Sequence, residues 1–313
     1  MAMMNVSAGI KKKSHYWQRS WMLYLMLVLP VTFFIVFRYV PMTNIVIAFK
    51  DYNIFQGVWS EGSPWVGTKY FEQAFAERDF WLAIRNTLML NSLDLVMGFP
   101  APIILALILN ELTFKRFKKV TQTIVYLPHF LSWIIVSSIA TRLLAPSIGV
   151  VNITLGNAFG MEPIDFLMDR VLWVFTYVIF GIWKSMGWGT IIYLAAITSV
   201  NPELYEAAEV DGSGRWRKLW HVTLPGIRPT IIVLLIMNIG WILGIDFDRP
   251  FTMGNSIVRP VADVISTLVY RWGLQSFRLS LSAAIGLFQS VICVIFVVSA
   301  NLLAKKFGER GIW

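Results

Sequence analysis

Long apolar stretches alternate along the chain with shorter polar, turn-rich segments, and the length of the apolar stretches sets the class of protein. A bilayer core of about 30 Å takes roughly 20 apolar residues per helix. Six segments reach that length, at about 21–42, 84–109, 121–144, 171–199, 228–248 and 279–303. Pro30, Pro100, Pro102 and Pro128 fall inside these runs and predict bends, which spans tolerate when neighbours resatisfy the freed backbone groups. Three connections on one side are long, at about 43–83, 145–170 and 249–278. Parts of them, such as 57–67 and 246–260, mix turn formers with aromatics and predict ordered interfacial structure.

Composition agrees with the pattern. The 313 residues are 57% hydrophobic and 14% charged, with a mean hydropathy of +0.63; soluble domains run at roughly 45–50% apolar and about 25% charged. Trp 14, Tyr 10 and Phe 22 are too many aromatics for anything but a very large core or a membrane. Disorder, a disulfide scaffold and an ordinary cytosolic enzyme are excluded. The expected fold is all-α and integral to the membrane, with six transmembrane helices. Lys11, Lys12, Lys13 and Arg19 before the first run look like the start of a signal peptide, but the run is too long and no small-residue cleavage site follows. It is read as an uncleaved span. Cys293, the single cysteine, can form neither an internal disulfide nor a metal cluster.

The net charge of +9 reads first as topology. With six spans both termini share a side, and that side collects fifteen Lys and Arg: four before residue 20, then Lys115, Arg116, Lys118 and Lys119, Arg215, Arg217, Lys218 and Arg228, and Lys305, Lys306 and Arg310. The opposite loops hold eight: Lys50, Lys69, Arg78, Arg170, Arg249, Arg259, Arg271 and Arg278. Both termini are therefore expected in the cytoplasm, and nucleic-acid binding loses its support. His15, His129 and His221 lack ligand spacing, so no metal site is expected. The nucleotide-binding pattern G-x-x-x-x-G-K-[S/T] is absent.

Residues 201–229 carry the densest local information. Asn201 is placed to cap a helix whose first position is Pro202, where a missing N–H does no harm. Glu203, Glu206 and Glu209 sit early in that helix, at its positive dipole end, and Ala207 and Ala208 keep one surface small. Gly212 fits a left-handed stop after Asp211. A second short helix is predicted over 215–222, ending near Leu224-Pro225. The result is a helical hairpin that a partner can grip, or an ordinary amphipathic connection. Acid chemistry by the glutamates is disfavoured, because they are exposed with no histidine in range.

Glu206-Ala207-Ala208, Asp211-Gly212 and, eleven residues later, Leu224-Pro225 resemble the signature loop of bacterial ABC importer permeases. In that family the loop forms the coupling helices that dock on the cytoplasmic ATPase, and the fold is that of the type I importer. Residues 64–67 leading to Phe71-Glu72, and the stretches 262–274, 284–291 and 301–313, are similar to polysaccharide-type carbohydrate permeases. That group includes permeases of lipo-oligosaccharide, pectin-oligosaccharide and alginate importers, and the similarity runs from about residue 17 to the end. The resemblance implies a heterodimer with a second homologous permease, two cytoplasmic ATPase subunits that bind ATP and Mg, an extracytoplasmic solute-binding protein, and no cofactor on this chain. It also implies a bacterial inner-membrane location, an oligosaccharide as substrate, and an organisation of a basic segment 1–20, a permease domain 21–303 with its coupling loop at 200–228, and a tail 304–313.

Lys184 lies near the middle of the fourth apolar run, where a charge costs about 2.5–3.5 kcal/mol on insertion scales and needs a reason. Two remain open: an internal ion pair with Asp94, or a pathway cation that meets a carboxylated sugar. Gly181, Trp183, Ser185, Gly187, Trp188 and Gly189 surround it with small residues and indoles, which suit close helix packing and also stacking on sugar rings. By resemblance to the maltose permease, sugar-contacting positions fall on Gly181, Lys184, Ser185 and Trp188, and on Asn238, Ile242 and Ile245. Trp183 matches a tryptophan there, and Trp241 and Asp246 lie near the same helix face as Asn238. The alternatives are a permease of the same class for another solute, an ion-driven secondary transporter, which would show inverted repeats and paired intramembrane acids, and a membrane-embedded enzyme, which would need a clustered catalytic constellation.

Overall fold

The computed structural model describes residues 7–244 and 246–306. Among the described residues five helices are long and apolar enough to cross a membrane, and a bent pair of helices meets the same test of length and composition when taken together. The described residues contain no strand beyond an isolated bridge between Lys50 and Trp65. The chain divides into two units, residues 1–70 and 71–313.

In the first unit, α1 (Ser20–Phe49) has none of its apolar window buried. The chain then folds back: Asp51 N–H donates to Pro64 O at 2.9 Å, Val66 N–H donates to Phe49 O at 2.8 Å, and Phe49 stacks on Trp65 with centroids 5.6 Å apart. The order predicted for 57–67 is thus built from backbone pairing and one aromatic stack.

The second unit holds α2 (Arg78–Glu111), the bent pair α3 (Lys115–Phe130) and α4 (Trp133–Leu144), α5 (Val150–Phe159), α6 (Arg170–Thr198), α7 (Pro202–Val210), α8 (Arg215–Gly240), α9 (Asp248–Met253) and α10 (Leu279–Lys306). Helix α6 is the axis. Its Trp173, Tyr177 and Val178 meet Leu90, Ala140 and Met253 in one buried cluster, and its Tyr193 and Ile197 meet Ala106 and Ile227 in another. Glycine sets how closely neighbours approach. A Cβ at Gly187 would strike the Val125–Tyr126 backbone of α3, and one at Gly189 would come 2.9 Å from Pro102 of α2.

Of the prolines expected to bend their helices, Pro128 sits at a sharp bend, whereas Pro100 and Pro102 do not interrupt theirs. Pro41, Pro100 and Pro225 each follow a wide turn in which the preceding residue donates five residues back: Val40 to Ile35, Phe99 to Asp94 and Leu224 to Leu219. A proline inside an α-helix lacks a donor and clashes with the carbonyl four residues earlier. One π-turn makes room for that ring, and the helix continues. So α2 passes through Pro100 and Pro102 without a break. For the same reason the helix from Arg215 does not end at Leu224-Pro225 but runs on into the span as α8.

Two predicted spans change shape. The run 121–144 is not one helix but two, bent by 104°. After Pro128 the chain is extended at Leu131, and Ser132 caps α4 by accepting from Ile135 N–H. The run 228–248 stops as a helix at Gly240, because residues 241–244 and 246–247 leave the helix. Their carbonyls are satisfied from neighbouring helices: Asn91 Nδ2 donates to Ile242 O at 2.6 Å, Gln289 Nε2 donates to Leu243 O, and Ser266 Oγ donates to Asp246 O at 2.9 Å. Unwound backbone at membrane depth is tolerated only where protein supplies such partners. Replacing Gly187 by valine should cost about 1–3 kcal/mol, as overpacking against backbone does. Thermal unfolding of the purified protein in detergent checks this, and an unchanged midpoint would remove the α3–α6 contact as a determinant.

Candidate functional site

The unwound segment after α8 leads into α9, which carries Arg249 into the interior. Arg249 is 5% exposed. Its guanidinium donates to both carboxylate oxygens of Asp94, at 2.5 and 3.1 Å, and to Tyr177 O at 2.5 Å. It stacks 3.6 Å from the Tyr177 ring centroid and lies 5.2 Å from that of Trp133. Any Cβ at residue 181 would collide with the guanidinium, so Gly181 is required where α6 passes it. The Arg249 Nε is buried with no hydrogen-bond partner, and its stacking on aromatic faces is the remaining compensation.

This pair forms one wall of a cavity of about 470 Å³, lined by α2, α6, α8, Trp133 of α4 and the unwound segment. Polar groups on its lining are Asn91, Asp94, Ser185, Asn238, Asp246 and Arg249, set among Trp133, Trp188 and Trp241. Trp188 stacks flat on His129, 4.7 Å between centroids and 7° between planes, which presents an indole edge fixed in orientation. Asn238 Nδ2 is tied to Leu234 O at 2.8 Å, leaving its carbonyl oxygen as an acceptor. Amides and a hydroxyl that donate and accept, and carboxylates that accept, with indoles beside them, suit a ligand rich in hydroxyls.

The sequence-predicted pathway residues separate. Gly181, Ser185, Trp188, Asn238, Trp241, Ile242 and Asp246 line the cavity together. Trp183 and Lys184 do not. At about 100° per residue, the lining positions of α6 fill an arc of roughly 140°, with Lys184 past its edge and Trp183 on the far side. Ile245 lies outside the described residues. The expected Lys184–Asp94 ion pair is not formed. Asp94 is held by Arg249, and Lys184 Nζ instead donates to His129 O at 2.9 Å and sits 5.4 Å from the Trp133 ring. Lys184 is accommodated because the break after Pro128 turns a backbone carbonyl towards it. The sequence reading missed Arg249, which it counted with the loop charges, and Asn91. The local sign was an arginine between Phe247 and Phe251 with two aspartates, Asp246 and Asp248, within three residues of it in an otherwise apolar run.

At the other end of α8 stands the hairpin, roughly 30 Å away along the helix from Lys218 to Asn238. Asn201 Oδ1 accepts from Glu203 N–H at 3.0 Å, as a cap should. Gly212 has φ +69°, and around it Ser213 N–H donates to Ala208 O and Gly212 N–H donates to Glu209 O. This is the glycine-terminated stop expected from the sequence. The two helices are tied by Lys218 Nζ donating to Glu209 at 2.5 Å and by Tyr205 Oη donating to Thr223 Oγ1 at 3.0 Å. The Lys218 hydrogen bond and charge hold the Glu209 carboxyl below its usual range, so the pair persists at neutral pH and is lost only as pH falls through that lowered value. Glu203, Glu206, Ala207 and Asp211 are all exposed, beside Leu204, Trp216 and Trp220 and an 89% exposed Val210. Apolar side chains this exposed, on a surface this ordered, mark a surface that a partner covers.

Residues 98–309 match the family described as the binding-protein-dependent transport system inner membrane component, and the chain belongs to that family. It is a multi-pass membrane permease subunit. It is 48% identical over 291 residues to the polygalacturonan/rhamnogalacturonan transport system permease protein YteP of Bacillus subtilis (strain 168), covering 93% of this chain and 90% of that protein. It is 47% identical over 296 residues to Protein LplB of the same organism, covering 95% and 92%. Among solved structures it is similar to a chain of a bacterial ABC transporter involved in the import of the acidic polysaccharide alginate, at 40% identity and a TM-score of 0.85 over 94% of this chain and 99% of that one. A second structure of a bacterial alginate ABC transporter, in complex with an alginate pentasaccharide-bound periplasmic protein, gives 40% identity and a TM-score of 0.86, over 95% and 99%.

Removing one member of a buried ion pair costs about 3–5 kcal/mol, whereas replacing both with apolar groups often costs little. Asp94→Leu alone should therefore destabilise the protein far more than Asp94→Leu combined with Arg249→Met. A double-mutant cycle on thermal unfolding measures the coupling, and additive losses would show that the pair does not act as a unit.

Proposed function

We propose that this chain is the permease subunit of an ATP-driven ABC importer that takes up oligo- or polysaccharide, of the acidic, uronate-containing class, delivered by an extracytoplasmic solute-binding protein. The observation that carries this reading is the exposed, glycine-stopped hairpin built rigidly onto the same helix, α8, whose far end lines the polar cavity. The acidic class is supported by relatives whose names specify polygalacturonan and alginate. The permease domain is 21–303 with the coupling loop at 200–228. It pairs with a second homologous permease, and the hairpin faces two cytoplasmic ATPase subunits, with both termini on that side. ATP and Mg bind those partners, and this chain carries out no bond chemistry.

In this reading Glu203, Glu206, Ala207, Ala208, Asp211, Gly212, Leu224 and Pro225 form the docking element, and the residues gathered round the cavity form this subunit's half of the path. Closure of the ATPase pair displaces the hairpin. Because α8 is continuous through its π-turn, the displacement reaches Asn238 and the unwound segment. The Gly181, Ser185, Trp188, Asn238, Trp241 and Asp246 surface then exchanges its exposure between the two sides of the membrane. Trp183 and Lys184 act from behind that surface, as packing and as support for His129.

Gly212→Val tests the hairpin. Nothing crowds a Cβ at residue 212, so the penalty is conformational, about 1–2 kcal/mol for a left-handed L-residue. The expected result is a complex that still assembles but whose ATP hydrolysis no longer responds to loaded binding protein. Normal stimulation in that variant would remove the hairpin from the mechanism. In the wild-type complex, reconstituted with its binding protein, stimulation by trigalacturonate and not by neutral trisaccharides is the result expected for an acidic substrate.

A further inference from the structure

The central cavity holds no surplus of positive charge from this chain, because Arg249 is already matched by Asp94 and Asp246 stands beside them. The surplus gathers elsewhere. A second pocket, of about 240 Å³, opens between the start of α2 and the segment after α9, lined by Arg78, Asp79, Asn86, Arg259, Pro260 and Asp263. It is a built structure. Asn86, fully buried, donates to Pro260 O at 3.0 Å and to Asp263 O at 2.9 Å, pinning that segment to α2. Its own carbonyl accepts from Arg85 Nη2 at 3.0 Å, and Arg85 Nη2 also donates to Pro260 O at 3.1 Å.

The two carboxylates of the pocket are spoken for. Arg271 lies 2.6 Å from Asp263 and 3.5 Å from Asp79. Arg78 and Arg259 have no carboxylate partner among the described residues, and Arg85 is met only by neutral oxygens. Guanidinium groups keep their charge at any physiological pH. Arg78 and Arg259 line this small pocket and Arg85 adjoins it through Pro260 O, while its two acids share Arg271. Four guanidiniums against two carboxylates leave forked donors without an anion, and a carboxylate satisfies such a fork bidentately.

Location gives the pocket its meaning. Helices α2 and α6 run the same way, since Asp94 lies beside residues 177–181 and Pro102 beside Gly189. The start of α2 is therefore at the end of the unit away from the hairpin that follows α6. From Asn86 to Asp94 is roughly 12 Å along the helix. We propose that this pocket is an anion subsite that receives a carboxylate of an acidic saccharide at the outer end of the path, before the chain reaches the central cavity. This rests on the uronate reading given above.

The test uses the full importer complex in nanodiscs and follows equilibrium binding of trigalacturonate and of its methyl ester, together with ATP hydrolysis driven by loaded binding protein. In the wild type the acid should bind more tightly than the ester, with an advantage that shrinks as salt is added. In R78Q/R259Q the acid should lose about tenfold, the scale of one charge-assisted pair, while the ester is unchanged. R78K/R259K should recover part of the loss, which a folding defect would not allow. Equal binding of the acid by wild type and R78Q/R259Q overturns the subsite and leaves the importer reading intact. Loss of stimulation by binding protein in R78Q/R259Q whatever its cargo also overturns it, and makes the patch a protein-docking surface. A wild-type complex that no saccharide stimulates overturns the importer reading itself, and the subsite with it.

Discussion

A guanidinium only 5% exposed needs a counter-charge beside it, and Asp94, whose side chain is 29% exposed on the cavity wall, supplies one across 155 residues of chain. The carboxylate comes from the π-turn of α2, where the wide register before Pro100 opens the helix. The guanidinium comes from a short helix that the chain reaches only after leaving the helix at the end of α8. Removing water from ions of this size has a penalty of several kcal/mol each even after relaxation. The bidentate contact, the Tyr177 carbonyl and the two aromatic faces must offset it together. That demand fixes much else. Gly181 has no side chain because the guanidinium occupies the place of one, and Tyr177 is buried because its ring is the platform.

The same economy of polar groups governs the backbone. Wherever a helix is interrupted, a specific donor takes over: Asn91, Gln289 and Ser266 at the unwound segment, Trp173 Nε1 to Met253 O and Ser137 Oγ to Thr252 O at the end of α9. Before Pro41, Pro100 and Pro225, where the proline could have forced an interruption, a π-turn preserves the helix. These two devices have opposite mechanical consequences. Segments released from helical pairing and caught by side chains can exchange partners, while helices carried through proline transmit displacement as rods. The cavity is lined by the first kind of structure and reached from the hairpin by the second.

Much of this was legible in the sequence, and what was not has a common cause. The apolar runs gave the spans because bilayer thickness acts on each run alone. Asn201, Pro202 and Gly212 gave the hairpin because capping and left-handed stops are local. The bend within 121–144 was legible from Pro128, though not its size of 104°. The early end of the run 228–248 and the burial of Arg249 were not legible, because each is decided by a partner distant in sequence. Lys184 shows the limit clearly. Its depth demanded a partner, and Asp94 was the one central acid, yet pairing depends on the angle each helix presents. Asp94 faces Tyr177 and Arg249, and Lys184 lies beyond the edge of the cavity face, beside a carbonyl that only the bend after Pro128 makes available. Apolar periodicity is too weak in helices hydrophobic on most sides to report that angle.

On the proposed reading of an acidic saccharide as cargo, the split between a charge-balanced cavity and a cationic outer pocket suits a moving polyanion. A deep site with an unmatched cation would hold a carboxylate in a low-dielectric interior, where each contact strengthens and release slows. A cation near the surface is screened by water and salt, so it can attract and orient an acidic chain without trapping it. Deeper in, hydroxyl recognition by Asn238, Ser185 and Asp246 between indoles offers many weak contacts that can be exchanged one at a time. With Arg249 neutralised by its own counter-ion, the cavity wall stays polar enough to wet a sugar. No single bond there then becomes the slow step.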